Sequence, residues 1–266
     1  YIAGQKEPVI DMPTRFVDFM RVLVPMAGDD TTPEGEQVNI YGNHVGSWNF
    51  AATAYLNRWK VKIYYEHYFD DHSQMFFQYG RWKDGHIGLE ITFPKNRFID
   101  TFVYEGLGTK DQTGPMLYDS FWGKFEEQIS AKDNYYNHYL YQGWQHWGMG
   151  IGNPLLPGPI YNKNGQITFI SNRVLAHHIG FCGSPCQSLS YRMLLSYSRH
   201  WGTYDNPLNE IKKQFNSLFE VTYAPQQLKE WSFTVSEAMD RGSILGNNYG
   251  GMLVIRKQGI IKSGNK

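Results

Sequence analysis

Apolar and polar residues alternate one for one along much of this chain, which puts successive side chains on opposite faces of an extended strand. Trp48, Phe50, Ala52, Ala54 and Leu56 make one apolar set, interleaved with Asn49, Thr53 and Tyr55. After Asn57-Arg58 the pattern resumes, with Trp59, Val61, Ile63 and Tyr65 against Lys60, Lys62, Tyr64 and Glu66. These two runs predict a tight hairpin with one apolar face. Similar sets recur at Ile87 to Phe93, Leu189 to Tyr197, Phe215 to Tyr223 and Trp231 to Met239, with a weaker one from Gly251 to Ile261.

The pattern predicts nine strands, at 45–56, 59–66, 86–93, 98–106, 172–181, 189–200, 213–223, 231–240 and 250–261. Several run about nine to eleven residues, the length a tilted strand needs to cross a bilayer, whereas soluble strands more often run about five or six. Short connections at 57–58, 94–97, 183–187 and 224–230 alternate with long ones at 67–85, 107–171, 201–212 and 241–249. Short turns on one side and long loops on the other are the habit of outer-membrane barrels, whose short turns are periplasmic. The expected fold class is therefore all-β, an antiparallel transmembrane β-barrel with long extracellular loops. Nine is an odd count, and bacterial single-chain barrels have even ones. Either a strand lies within 139–147, or an N-terminal part of the barrel precedes this sequence. Residues 1–36 are expected to form an extracellular loop with a short amphipathic helix between Asp11 and Val24, and 37–266 the C-terminal part of the barrel.

Composition narrows the partners. The 266 residues carry 25 Lys plus Arg against 25 Asp plus Glu, so no net field attracts nucleic acid. Aromatics reach 16%, with 19 Tyr, 16 Phe and 8 Trp, which suits either a soluble core or the two interfacial girdles of a barrel. No apolar run reaches transmembrane-helix length, and the first residues lack the charged-then-apolar design of a signal peptide. Cys182 and Cys186 flank Gly-Ser-Pro and could close a small disulfide loop in an oxidising periplasm or stay reduced in a turn.

Several stretches together resemble the Wzi-type capsule-assembly family of outer-membrane β-barrels. They are 33–39 with Gly42-Asn-His-Val-Gly-Ser-Trp-Asn49, Tyr64-Tyr-Glu-His-Tyr-Phe-Asp-Asp-His72, Gly80-Arg-Trp-Lys-Asp-Gly85 and Glu105-Gly-Leu-Gly-Thr-Lys-Asp111. Asp133-Asn-Tyr-Tyr-Asn-His138, Gly143-Trp-Gln-His-Trp-Gly-Met-Gly150 and His200-Trp-Gly-Thr203 complete the set. The resemblance implies about half of an eighteen-stranded barrel wall. It also implies lectin-like retention or organisation of capsular polysaccharide at the cell surface, without catalysis or cofactor. The polar tail Lys262-Ser-Gly-Asn-Lys266 departs from the aromatic ending usual in barrels.

The segment 107–171 is too long for a passive connection, and its aromatics would not stay solvated. Aromatic rings hold the C–H faces of sugars while amides and carboxylates satisfy the hydroxyls. Asp111, Asp119, Trp122, Asn134, Tyr135, Tyr136, His138, Trp144, His146 and Trp147 are the polysaccharide-binding candidates on that ground. The same aromatics would equally serve as the core of a plug folded into the lumen. Elsewhere the bland readings are preferred. Glu66, His67, Asp70, Asp71 and His72 match no Ca²⁺ loop, and His177 and His178 face opposite ways on a strand. Glu126-Glu127 does not place two carboxyls across a cleft as a glycosidase requires. The expected partners are surface polysaccharide, outer-membrane lipid and other outer-membrane proteins. A porin-like channel for small saccharides and a soluble all-β glycan-active enzyme are the competing functions.

Overall fold

The computed structural model describes residues 13–24, 26–32, 37, 41, 42, 44–70, 75, 77, 84–96, 98–116, 131–138 and 143–259. Helix α1 (Phe16–Leu23) precedes the strands β1 (Val45–Leu56), β2 (Trp59–Asp70), β3 (Gly85–Thr92) and β4 (Thr101–Gly108). A two-residue-per-strand hairpin, β5 (Gln145–His146) and β6 (Met149–Gly150), lies within the long connection. The chain continues through β7 (Val174–Cys186), β8 (Leu189–Gly202), β9 (Pro207–Tyr223), β10 (Trp231–Gly242) and β11 (Asn248–Lys257). Apart from β5 and β6, the strands form one nine-stranded antiparallel sheet in chain order, so the chain is all-β and antiparallel as expected. Among the described residues no helix is long and apolar enough to cross a membrane.

Strand boundaries moved where backbone pairing outran the side-chain pattern. The stretch read as a turn at 183–187 joins β7 as a bulge between Gly183 and Cys186, which leaves 187–188 as the turn. A bulge tolerates Pro185, which has no N–H to give a ladder. The connection expected at 201–212 shrinks to 203–206, because β8 runs on to Gly202 and β9 begins at Pro207. Likewise 241–249 contracts to 243–247. The long-loop side therefore owes its length to 71–84 and, above all, 109–173. Cys182 and Cys186 are both free. Across the bulge they pair with Arg192 and Leu189, three residues or about 10 Å apart along β8, beyond the roughly 7 Å that a disulfide spans, so the reduced alternative is the one this structure holds.

The register gives the sheet two unlike faces. One row takes a residue from every strand: Ala52, Ile63, Leu89, Tyr104, Ile179, Leu195, Ser217, Met239 and Tyr249. Neighbouring rows on this face hold Phe50, Tyr65, Ile87, Tyr197 and Phe215, then Val61, Ile91, Phe102, Phe181, Met193 and Phe219. Much of the face is open: Ile63 and Ile87 are each 55% exposed and Leu253 is 65% exposed. Near the short turns it ends in aromatics, with Trp59 against Phe93 at 5.0 Å and Trp231 stacked on Phe233. His177 and Arg241, which share the row of Tyr197 and Phe215, depart from the pattern, as does Glu237, opposite Phe219 with its carboxylate hydrogen-bonded to Tyr249.

The opposite face is polar and packs against the long connection. The buried cluster lies there, formed by Tyr136, Leu156, Phe169, Val174 and Ala176, with Val45, Leu107, Trp144 and Leu155 against it. Helix α1 is tied down differently. Arg15 and Arg21 converge on Asp18 and Asp29, and the His44 ring bonds the Val22 carbonyl. Hydrogen bonds from Thr31, Arg21 and Arg15 hold the Asp29 carboxyl well below the usual range. Phe16, Phe19 and Leu23 are left exposed.

Candidate functional site

Segment 109–173 is fastened to the sheet by a buried polar network. Asp84, just before β3, accepts the backbone N–H of Asp111 (2.8 Å), the N–H of Gln112 (2.5 Å) and the Tyr135 hydroxyl (3.1 Å). Asn172, just before β7, donates to the Asn134 side chain (2.6 Å) and the Tyr135 carbonyl (2.9 Å). Its own carbonyl accepts from Thr109 and Gln112. Asn137 holds the Phe169 backbone from both sides, donating to its carbonyl and accepting from its N–H. Burial pushes the Asp84 carboxyl up to about 6, against the pull of its three donors. Desolvation dominates there because Asp84 is 1% exposed.

This geometry divides the residues proposed from sequence. Asn134, Tyr135 and Tyr136 belong to the anchor: Tyr136 donates its N–H to Asp70, accepts from the Asn153 N–H and meets Phe169 edge-on at 5.2 Å. Trp144 stacks on Tyr136. Asp111 sits where the segment leaves the sheet, its carbonyl accepting from Tyr204. His138 is half-buried, and burial lowers its pKa. His146 and Trp147 lie at the β5–β6 tip, where Trp147 has φ +51° and Gly148 φ +78°, the left-handed pair of a type I′ turn. Trp147 is 84% exposed. Asp119 and Trp122 lie outside the described residues, as do 139–142 of the possible strand at 139–147, whose described part holds only the two-residue β5.

The sheet contributes a feature the sequence reading did not single out. Polar residues cross its inner face in a belt with one member per strand: Asn49, Glu66 and His86, then Glu105, His178, Ser196, Asn216, Asp240 and Asn248. Between β3 and β4 the belt steps diagonally. His86 Nε2 reaches Glu105 at 3.4 Å while its Nδ1 lies 3.8 Å from Glu66. Tyr64 also donates to Glu105. Further along, His178 Nδ1 lies 2.6 Å from the Ser196 hydroxyl and Asn216 donates to Asp240 at 2.6 Å. Single polar residues at inward positions were visible in the sequence, but their alignment depends on register, which the pattern of one strand does not contain.

A cleft of about 830 Å³ lies between this belt and the long segment. Glu66, His86, Glu105, His178, Ser196 and Asn216 line its floor, Tyr68 and Tyr136 its side, and 152–156 its roof. Among the described residues no three His, Cys, Asp or Glu side chains converge to hold a metal ion. No known family model matches the chain, and no curated protein matches it.

Proposed function

We propose that this chain forms wall strands of an outer-membrane β-barrel of the Wzi-type capsule-assembly kind. On this reading the protein is lectin-like and non-catalytic, and 109–173 meets capsular or other surface polysaccharide outside the cell. The observation that carries it is the two-faced sheet. An exposed apolar face nine strands wide, ending in aromatics, is what a bilayer solvates and water does not. The inner face is polar, as a lumen lining is. One cleft is bounded by residues from β1 to β9, which favours a sheet that curves around it. Both edge strands, β1 and β11, must find partners in lipid, where an unpaired backbone group costs several kcal/mol.

The packing of the described parts of this segment, 109–116, 131–138 and 143–173, over the polar face favours an occluded lumen over a porin-like channel. A glycosidase needs two carboxyls facing one another across the sugar bond. Here the His86 ring stands between Glu66 and Glu105, which supports binding without hydrolysis. The test is folding into detergent or lipid followed by glycan binding. Heat-modifiable migration, with saccharide binding weakened by Trp147→Ala, is the expected result. A chain that stays folded and monomeric in water without detergent overturns the reading.

A further inference from the structure

We propose that the cleft between the polar belt and the 152–156 roof is a saccharide subsite selective for uncharged pyranose units over uronic acids. This rests on the polysaccharide-binding reading and assigns a place and a specificity within it. The volume, about 830 Å³, falls within the roughly 300–1,000 Å³ of small-ligand sites. Two carboxylates stand on its floor, and their side chains keep 35% (Glu66) and 30% (Glu105) of their surface open, enough to accept sugar hydroxyls. Ser196 and Asn216 offer further polar atoms, while Pro154, Leu155 and Leu156 give the roof an apolar surface for C–H faces.

The charge balance sets the specificity. Among the described residues the lining contains no Lys or Arg. On the same face, Lys60 and Lys62 lie nearer the short turns, where Lys60 pairs with Glu90 and Lys62 covers the Tyr64 ring. Arg192 is likewise taken by Glu220. A uronate in the cleft would thus meet Glu66 and Glu105 with only the imidazoles of His86 and His178, and no permanent cation, beside them, whereas neutral hydroxyls gain two strong acceptors.

The experiment is calorimetric titration of the full chain in detergent with matched neutral glucans, galactans and mannans and their uronan counterparts. At least one neutral oligosaccharide should bind, with its uronan about tenfold or more weaker, as like-charge juxtaposition demands. The isosteric double variant Glu66→Gln/Glu105→Gln should close most of that gap, and Ser196→Phe should abolish neutral binding by filling the floor. If uronans bind as tightly as neutral chains, or the double variant leaves the gap intact, the inference is overturned. Binding lost in Trp147→Ala but kept in a folded Ser196→Phe also overturns the cleft while leaving surface binding in place. A folded chain that binds no saccharide removes both. Should Ser196→Phe misfold, the double variant alone decides.

Discussion

Gly88 lacks a side chain because Tyr64 uses its space. A Cβ at 88 would overlap the Tyr64 ring, which crosses Gly88 to deliver its hydroxyl to Glu105. Gly88→Ala should therefore push Tyr64 off Glu105 and cost about 1–3 kcal/mol, the range for overpacking, read from a urea midpoint by fluorescence. A Tyr64→Phe/Gly88→Ala double variant no less stable than Tyr64→Phe would show that the hydroxyl contact is what the glycine protects. Asp84 gives a pH test at the same scale. Its folded pKa of about 6 lies above the ordinary 3.8, so the folded chain takes up a proton that the unfolded chain does not between those values. Its contribution is fully present below the unfolded value and is lost as pH rises through 6. Stability should fall by up to about 3 kcal/mol between pH 4 and 7 relative to Asp84→Asn. Parallel pH profiles of the two proteins would contradict it.

Elements show how far the sequence could be read. Nine strands were legible because sustained alternation has no cheap alternative, and the short turns between them mark where each ends. Helix α1 was legible from the spacing of Phe16, Phe19 and Leu23. What was not legible came from backbone pairing: the β7 bulge through Pro185, and the extension of β9 back to Pro207, where polar side chains hide a continuing ladder. The candidate site divided for a similar reason. Tyr135, Tyr136 and Trp144 were visible as aromatics that needed a partner, but only the fold shows that partner to be the anchor core, with Trp147 left at the surface. The partners Asp84 and Asn172 are distant in sequence from what they hold. At this scale the apolar face makes a sharp prediction. Ile63→Arg should destabilise the chain in lipid by about 2–4 kcal/mol near the midplane, measured by urea titration in liposomes. Glu237→Leu should be neutral or stabilising there, since it removes a carboxylate from the same face. A stabilising Ile63→Arg would argue that this face meets water.

At the scale of the whole molecule, three tryptophans report on orientation independently of any ligand. Trp59 and Trp231 stand on the apolar face beside the short turns, with Lys257 over the Trp231 ring at 5.3 Å. That pairing suits the boundary between lipid and headgroups, where an aromatic body and a cation both find solvation. Trp147 stands at the tip of the β5–β6 hairpin, on the connection that leaves the opposite end of the sheet. Strands β7 to β11 run from ten to seventeen residues, so about 25 Å or more of sheet separates the two ends. Variants retaining only Trp59 or only Trp231 should be quenched in liposomes by lipids brominated near the headgroup and spared by aqueous iodide. The Trp147-only variant should behave in reverse. Iodide added outside sealed vesicles should quench Trp147 only in the population with long loops outward, and proteolysis of exposed loops should report the same fraction. If Trp59 and Trp147 were quenched alike by iodide, the apolar face would be open to water, and the two-faced sheet would need a protein partner rather than a bilayer to cover it.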